Sequence, residues 1–161
     1  MAYRPTKKAS SMSKPVLILN GPNLNKLGTR EPEIYGATTL DQVGDACRAQ
    51  ATLHGLDVDF RQSNSEAELI DWIHEAIDGA AGIIINPAAF THTSVAILDA
   101  LKMVPAPVIE LHISNPHTRE SFRHLSYVSF AATGTICGFG VAGYSLAVDA
   151  MARLLADRAG T

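Results

Sequence analysis

The chain is poor in the residues that would commit it to several large classes of protein. It has two cysteines, Cys47 and Cys137, and no Cys-x-x-Cys pair, which excludes a disulfide-stapled scaffold and a thiolate metal site. Both read as buried free thiols, and a reducing compartment fits them. Long apolar runs are absent. The apolar residues come in short stretches such as Ile83-Ile84-Ile85, far below the roughly 20 residues a membrane-spanning helix needs. His-Glu-x-x-His and other compact metal spacings are missing, as is the Gly-x-Ser-x-Gly elbow, so no metal is expected. Basic residues are few once the start is set aside. Arg4, Lys7, Lys8 and Lys14 sit in a segment without an acid, and the remaining nine basic and sixteen acidic residues leave the rest of the chain at −7. A nucleic-acid groove does not suit such a body, whereas a small anion can still be met by a local group of arginines. Met1 to Lys14 has no apolar core of a secretory signal and reads as a disordered basic tail.

What is present is 161 residues with 47% hydrophobic content, enough for one domain with one core. Strand and helix signals alternate. Val16 to Leu19 reads as a buried strand ending in Asn20-Gly21-Pro22-Asn23. Thr39 and Gln42 form a capping box for a helix that buries Leu40, Val43, Cys47 and Ala51 and stops near Gly55. Val58 to Phe60 is the second strand. Ser65 and Glu68 read as a second capping box, opening a helix that buries Leu69, Ile73, Ala76 and Ile77. Gly82 to Asn86 is the third strand, and a helix follows from about Thr93 to Val104. Val108 to His112 is the fourth strand and Tyr127 to Ala131 the fifth. The closing helix runs from Ser145 to about Asp157 with Leu146, Met151, Leu154 and Leu155 inward. This alternation with doubly buried strands predicts an α/β fold over residues 15–158, a doubly wound five-stranded parallel sheet in the flavodoxin-like order 2-1-3-4-5. Ligands in such sheets bind beyond the carboxyl ends of the strands, at the switch between strands 1 and 3.

The unusual polar residues fall there. Asn23 follows strand 1, Asn86 and His92 follow strand 3, and Glu110, His112 and Ser114 end strand 4. Glu110 and His112 are two apart and share one side of the strand. The carboxylate can orient the imidazole and raise its proton affinity for general-acid work, or the two can form a purely structural pair. His92 is either a ligand group or a core or capping histidine. The connection Leu24 to Thr38 is long enough for a lid, carries Arg30 and Tyr35, and has Gly28 and Gly36 as hinges. A tyrosine acts as a base only if its pKa falls well below about 10, which a guanidinium beside it achieves. Alone, Tyr35 can equally be a packing residue and Arg30 a solvated one. Gly138-Phe139-Gly140-Val141-Ala142-Gly143 matches Gly-x-Gly-x-x-Gly but follows the last strand, so it reads as a turn with close backbone packing. Phosphoacceptor aspartates are replaced by Asn23 and Asn86, and strand 1 has no hydroxyl-rich phosphate loop.

These strings resemble the type II 3-dehydroquinate dehydratases. The resemblance rests on Asn20 to Asn25, Leu27 to Gly36, Gln62-Ser63-Asn64, Glu68 to His74, Asn86-Pro87 through Thr91 to Ala96, Glu110 to Asn115 and Gly138 to Tyr144. It spans nearly everything from Pro15 to Leu155. Lys26, Ala67, Ala88 and Phe90 depart from the common pattern. The resemblance implies a cofactor-free and metal-free hydro-lyase converting 3-dehydroquinate to 3-dehydroshikimate through an enolate, in shikimate or quinate metabolism. By it, Tyr35 takes a proton beside the ketone with Arg30 assisting, and Asn23 helps hold a water that stabilises the enolate. His112 protonates the departing hydroxyl with Glu110 behind it and Asn86 nearby. Backbone amides of Ile113 and Ser114 meet the carboxylate, His92 and Arg123 bind ring hydroxyls, and Asp99 crosses from a neighbouring subunit. It further implies a cytoplasmic protein that binds no nucleic acid or membrane and assembles as trimers within a homododecamer. A Schiff-base route is disfavoured independently, because Lys26 and Lys102 are the only lysines beyond the tail and neither is at a strand end. The reading from a different class is a non-catalytic flavodoxin-like binding or assembly module.

Overall fold

The computed structural model describes residues 13–29 and 32–161. Most of the basic tail and Arg30 therefore lie outside the described residues. Five parallel strands, β1 (Val16–Asn20), β2 (Val58–Gln62), β3 (Gly82–Asn86), β4 (Val108–His112) and β5 (Gly134–Cys137), form one sheet in the order β2-β1-β3-β4-β5. The helices are α1 (Pro32–Tyr35), α2 (Leu40–Thr52), α3 (Glu66–Gly79), α4 (Val95–Lys102) and α5 (Ala142–Ala159). The predicted fold class and strand order hold.

Strand alternation divides the interior in two. Val16, Ile18, Ile84, Ile109 and Leu111 meet Cys47 and Ala51 of α2 and Tyr144 and Met151 of α5. Leu17, Leu19, Ile83, Ile85 and Val108 meet Leu69 and Ile73 of α3 and Ile97 and Leu101 of α4. Side chains two apart share a face, so Glu110 and His112 emerge on the α3–α4 side, at the carboxyl end of β4. Gly82 lies against α5, where any larger residue would have to displace the flexible end of Met151. A Cβ there would lie 2.4 Å from Sδ of Met151.

Helix starts follow the local chemistry. Thr39 caps α2 in a complete box: Gln42 N donates to Thr39 Oγ1 at 3.3 Å, and Thr39 N donates to Gln42 Oε1 at 3.0 Å. The second box is only half made. Ser65 Oγ accepts from Glu68 N, but the Glu68 carboxylate receives the Ser63 hydroxyl, and Ser63 Oγ accepts from Ser65 N. The serine two residues upstream competes successfully for the acid.

Two further expectations fail. The fifth strand is Gly134–Cys137, not Tyr127–Ala131, whose residues Val128–Phe130 make a turn of 3-10 helix. Tyr127 N donates to Thr91 O and Ala131 N to Val128 O, so this backbone is consumed before it can join the sheet. Strand propensity is a weak prior against such tertiary demands. Leu146, expected inward, is 44% exposed. α5 begins at Ala142, three residues earlier than expected, and buries Gly143, Tyr144, Ala147, Val148 and Met151, which turns Leu146 outward.

β1 and β3 stay paired to Asn20 and Asn86, and just beyond them the chain approaches itself closely. Gly21 N donates to Asn86 O at 2.8 Å, and a Cβ on Gly21 would fall 2.4 Å from the Pro87 carbonyl oxygen. Ala88, next in this turn, has φ 51°, a left-handed conformation that costs an L-residue about 1–2 kcal/mol. Ala88→Gly relieves that strain and loses part of the gain to unfolded-chain entropy. It should raise unfolding stability by about 1 kcal/mol, read as a higher urea midpoint at fixed protein concentration. A lower midpoint would show that the turn carries no strain at this position.

Candidate active site

A pocket opens at the carboxyl ends of β1, β3 and β4. Asn23, Asn86 and His92 line one side, and His112, Ile113, Ser114 and Arg123 the other. These are seven of the residues singled out from sequence. Among the described residues no lysine lines it, and no group of three or more His, Cys, Asp or Glu side chains could hold a metal ion.

The turn carrying Asn23 is braced from β2. Asn23 is left-handed at φ 69°, a region asparagine tolerates. Its backbone N donates to Asn64 Oδ1 at 2.9 Å, while Gln62 Nε2 donates to Gly21 O at 3.2 Å and to Asn64 Oδ1 at 3.1 Å. The string Gln62-Ser63-Asn64 thus acts as a prop. On the other side, the Gly138–Gly143 turn props the end of β4. Gly138 and Gly140 have φ of 90° and 62°, and Gly140 N donates to Ile113 O at 3.0 Å.

Asn86 is 3% exposed and held at both ends of its amide. Oδ1 accepts from Ala88 N at 3.2 Å, and Nδ2 donates to Tyr144 Oη at 3.0 Å. Tyr144 Oη donates in turn to Asn20 Oδ1 at 2.7 Å, and Asn20 Nδ2 to Arg61 O at 2.9 Å. Burial pushes the Tyr144 phenol up, so it remains a neutral relay within the core. Sequence reasoning missed this role. Tyr144 stood in one of the matching strings, yet nothing local points from α5 to β1 and β3.

His112 and Glu110 form the chemically distinctive pair. Nε2 of His112 lies 2.7 Å from Oε1 of Glu110, whose side chain is 1% exposed. The carboxylate also receives the hydroxyls of Thr91, Ser126, Ser129 and Thr135. Burial works to raise this carboxyl, but the bonds from His112, Ser126 and Ser129 oppose it and together bring it down to about 2. An ionised carboxylate accepts only, so Nε2 carries a proton and Nδ1 is the ring nitrogen left for chemistry in the pocket. His92 is oriented differently, with its Nδ1–H donating to Leu125 O at 2.8 Å.

Arginines supply the positive charge. Arg123 Nε donates to Glu120 Oε2 at 2.8 Å, with its guanidinium 5.0 Å from the Phe122 ring centre. Arg119, not singled out from sequence, also lines the pocket, and its Nη1 donates to Ser114 Oγ at 3.2 Å. Its spacing four residues before Arg123, in the polar segment after β4, was the available signal. Asp99 is exposed in the middle of α4 and is not brought to this pocket. Tyr35 ends α1, the short helix within the connection after β1.

The model for dehydroquinase class II matches residues 14–152. The 3-dehydroquinate dehydratase of Phenylobacterium zucineum is 62% identical over 143 residues, covering 89% of this chain and 99% of that one. The 3-dehydroquinate dehydratase 2 of Pseudomonas aeruginosa is 60% identical over 138 residues, 86% and 93% of the two chains. Among solved structures, the type II dehydroquinase of Propionibacterium acnes superposes with a TM-score of 0.85 at 51% identity, covering 88% and 98%. That of Butyrivibrio crossotus gives 0.83 at 42% identity, covering 86% and 97%.

The relay through Tyr144 makes a stability prediction. Tyr144→Phe keeps the ring but leaves Asn20 Oδ1 without its donor and Asn86 Nδ2 without its acceptor in the core. It should cost about 1–3 kcal/mol in chemical unfolding, with kcat falling more than the loss of folded protein accounts for, because Asn86 is freed to rotate. Unchanged stability and turnover would show that the hydroxyl holds neither asparagine.

Proposed function

The chain belongs to the class II dehydroquinase family, and we propose that its pocket catalyses the reversible dehydration of 3-dehydroquinate to 3-dehydroshikimate, a step of shikimate or quinate metabolism, without a Schiff base. The carrying observation is the buried Glu110–His112 pair with the ring opening on a pocket that Asn23, Asn86, Ser114 and Arg123 line. A binding module has no use for an imidazole held by an ionised, fully enclosed carboxylate.

In this reading residues 15–158 act as one catalytic unit. Tyr35, with Arg30 stabilising its phenolate, removes a proton from the carbon beside the ketone. The electron pair moves onto the carbonyl oxygen, and a water held with the help of Asn23 stabilises that enolate. Its collapse expels the hydroxyl at the β carbon, which leaves as water after protonation by Nδ1–H of His112. Glu110 stays ionised throughout. Backbone N–H groups of Ile113 and Ser114 take the substrate carboxylate, as outward-pointing amides do at other anion sites. Asn86, His92 and Arg123 hold ring oxygens. A dehydration of this kind needs no electron acceptor, and the residues on hand supply a base, an acid and an enolate stabiliser.

Asp99 belongs to the same proposal through a neighbouring subunit. It sits on an exposed side of α4 beside Val95, which is 49% exposed, and Phe122, Leu125 and Phe130 are also half or more exposed. We assign these apolar groups to contacts between copies, in trimers that gather into a homododecamer, with Asp99 reaching the next pocket. Among the described residues no helix is long and apolar enough to cross a membrane. The free cysteines Cys47 and Cys137 suit the cytoplasm, the compartment we propose.

Adding 3-dehydroquinate should produce the ultraviolet absorbance of a conjugated enone, and its absence would overturn the function. Tyr35→Phe should then lower kcat by about 10²- to 10⁴-fold while substrate still binds. Near-normal turnover would remove Tyr35 as the base even with the overall reaction intact. Light scattering should give a mass that is a multiple of three chains, and a fully active monomer would reject the shared pocket.

A further inference from the structure

Glu110 is enclosed by an unusual number of hydroxyls. Oε1 receives Thr91 Oγ1 at 3.1 Å and Ser126 Oγ as well as Nε2 of His112 at 2.7 Å, while Oε2 receives Thr135 Oγ1 at 3.1 Å and Ser129 Oγ. Thr91 Oγ1 and Ser126 Oγ lie 2.6 Å apart and each has a single proton, so one of the two donates to the other, and the four donors that remain fill the roughly four lone-pair sites of the carboxylate. The hydroxyls come from separate stretches: the turn after β3, the segment before and within the 3-10 turn Val128–Phe130, and β5. A core that only needed to bury this position would place an apolar residue on β4, as its neighbours Ile109 and Leu111 do.

We propose that Thr91, Ser126, Ser129 and Thr135 are positioning residues whose hydroxyls hold Glu110 as a fixed anion, so that the proton shared with His112 resides on Nε2 and the ring can act as an imidazolium acid through Nδ1. The proposal rests on the dehydratase reading. Its chemistry is specific. If the carboxyl held the shared proton, the ring would be neutral, and the Nδ1–H of a neutral imidazole is too weak an acid to release water. With the proton on Nε2, a second proton on Nδ1 makes the ring a cation that can give that proton to the departing hydroxyl. The anion's enclosure is therefore part of the acid, although none of the four hydroxyl residues lines the pocket that Asn23 and Asn86 share with His112.

The other groups facing Glu110 are known. His112 shares its strand, and the same cavity is lined by His92, His117, Arg123, His124 and Cys137. None of these five is hydrogen-bonded to the carboxylate, so the hydroxyls and His112 dominate its state. Its carboxyl is ionised above the ordinary value near 4.5 and stays so until the pH falls through about 2. Removing hydroxyls shifts that window upward, because burial is then less well opposed.

Ser129 and Thr135 suit the test because both residues are exposed apart from their hydroxyl contacts, and their truncation opens no core cavity. The full-length chain would carry Ser129→Ala, Thr135→Val, or both, with Ser129→Thr and Thr135→Ser as hydroxyl-preserving controls. Two readouts are needed: kcat and KM for 3-dehydroquinate against pH, and the Glu110 carboxyl titration by carbon NMR, assigned with Glu110→Gln. The double variant should move the carboxyl titration up by about one pH unit or more and carry the acid limb of kcat up with it, so that the loss of kcat grows toward acid pH while KM stays within about twofold. The controls should restore both. A kcat loss equal at every pH, with Glu110 titrating as in the parent, would reduce the hydroxyls to structural groups and overturn the proposal, as would an unchanged kcat profile. Should the double variant not fold, the single variants carry the same readouts. A parent chain that fails to turn over 3-dehydroquinate would refute the dehydratase reading, whereas the carboxyl titration judges the hydroxyl enclosure independently of activity.

Discussion

A carboxylate with 1% exposure must be compensated or it will neutralise itself, and the architecture around Glu110 is organised by that constraint. Compensation requires donors on several sides at once. β4 supplies His112 from below, the turn after β3 supplies Thr91, β5 supplies Thr135, and the segment between them must curl inward to bring Ser126 and Ser129. This accounts for the 3-10 turn at Val128–Phe130, where alternating residues would otherwise extend. Ordering that segment also fixes Leu125, whose carbonyl orients His92, and it ties the segment to the turn after β3 through Tyr127 N and Thr91 O. One buried charge therefore sets the geometry of two pocket histidines.

The opposite side of the pocket is governed by hydrogen-bond satisfaction of neutral groups. At the carboxyl ends of β1 and β3, the terminal asparagines are buried and need partners. Tyr144 of α5 answers both with a single hydroxyl, accepting from Asn86 and donating to Asn20. The close approach of Gly21 to Pro87 then fixes the distance between the two strand ends. Together these contacts make the amide of Asn86 part of a rigid wall. The catalytic surface proposed here is thus a rim on three strands, braced by hydrogen bonds from β2 and α5.

Periodicity made most of the scaffold readable. Doubly apolar strands, the Thr39–Gln42 cap and the placement of Glu110 and His112 on one side of β4 all follow from contacts within a few residues or from the period of the backbone. The readings that failed depended on competition. Ser63 diverts Glu68 from completing a cap at Ser65, Gly134–Cys137 rather than Tyr127–Ala131 occupies the edge beside β4, and an earlier start of α5 rotates Leu146 outward. Each outcome was decided by a partner distant in sequence or by a choice between two locally acceptable conformations.

The sequence by itself therefore determined the fold class, the strand order and the end of the sheet where a ligand binds, because these depend on the alternation of apolar residues and on the chirality of parallel crossovers. It also nominated most of the pocket, since Asn23, Asn86, His92 and His112 are conspicuous as polar groups at strand ends, whereas Arg123, well beyond β4, was implied only by the family resemblance. Only the tertiary structure decided how those groups are held. Tyr144 meets Asn20 across 124 positions, and the Glu110 donors are gathered from as far as Thr91 and Thr135. Hydroxyls and amides of this kind have no periodicity of their own, and their partners are set by where the packed core brings the backbone.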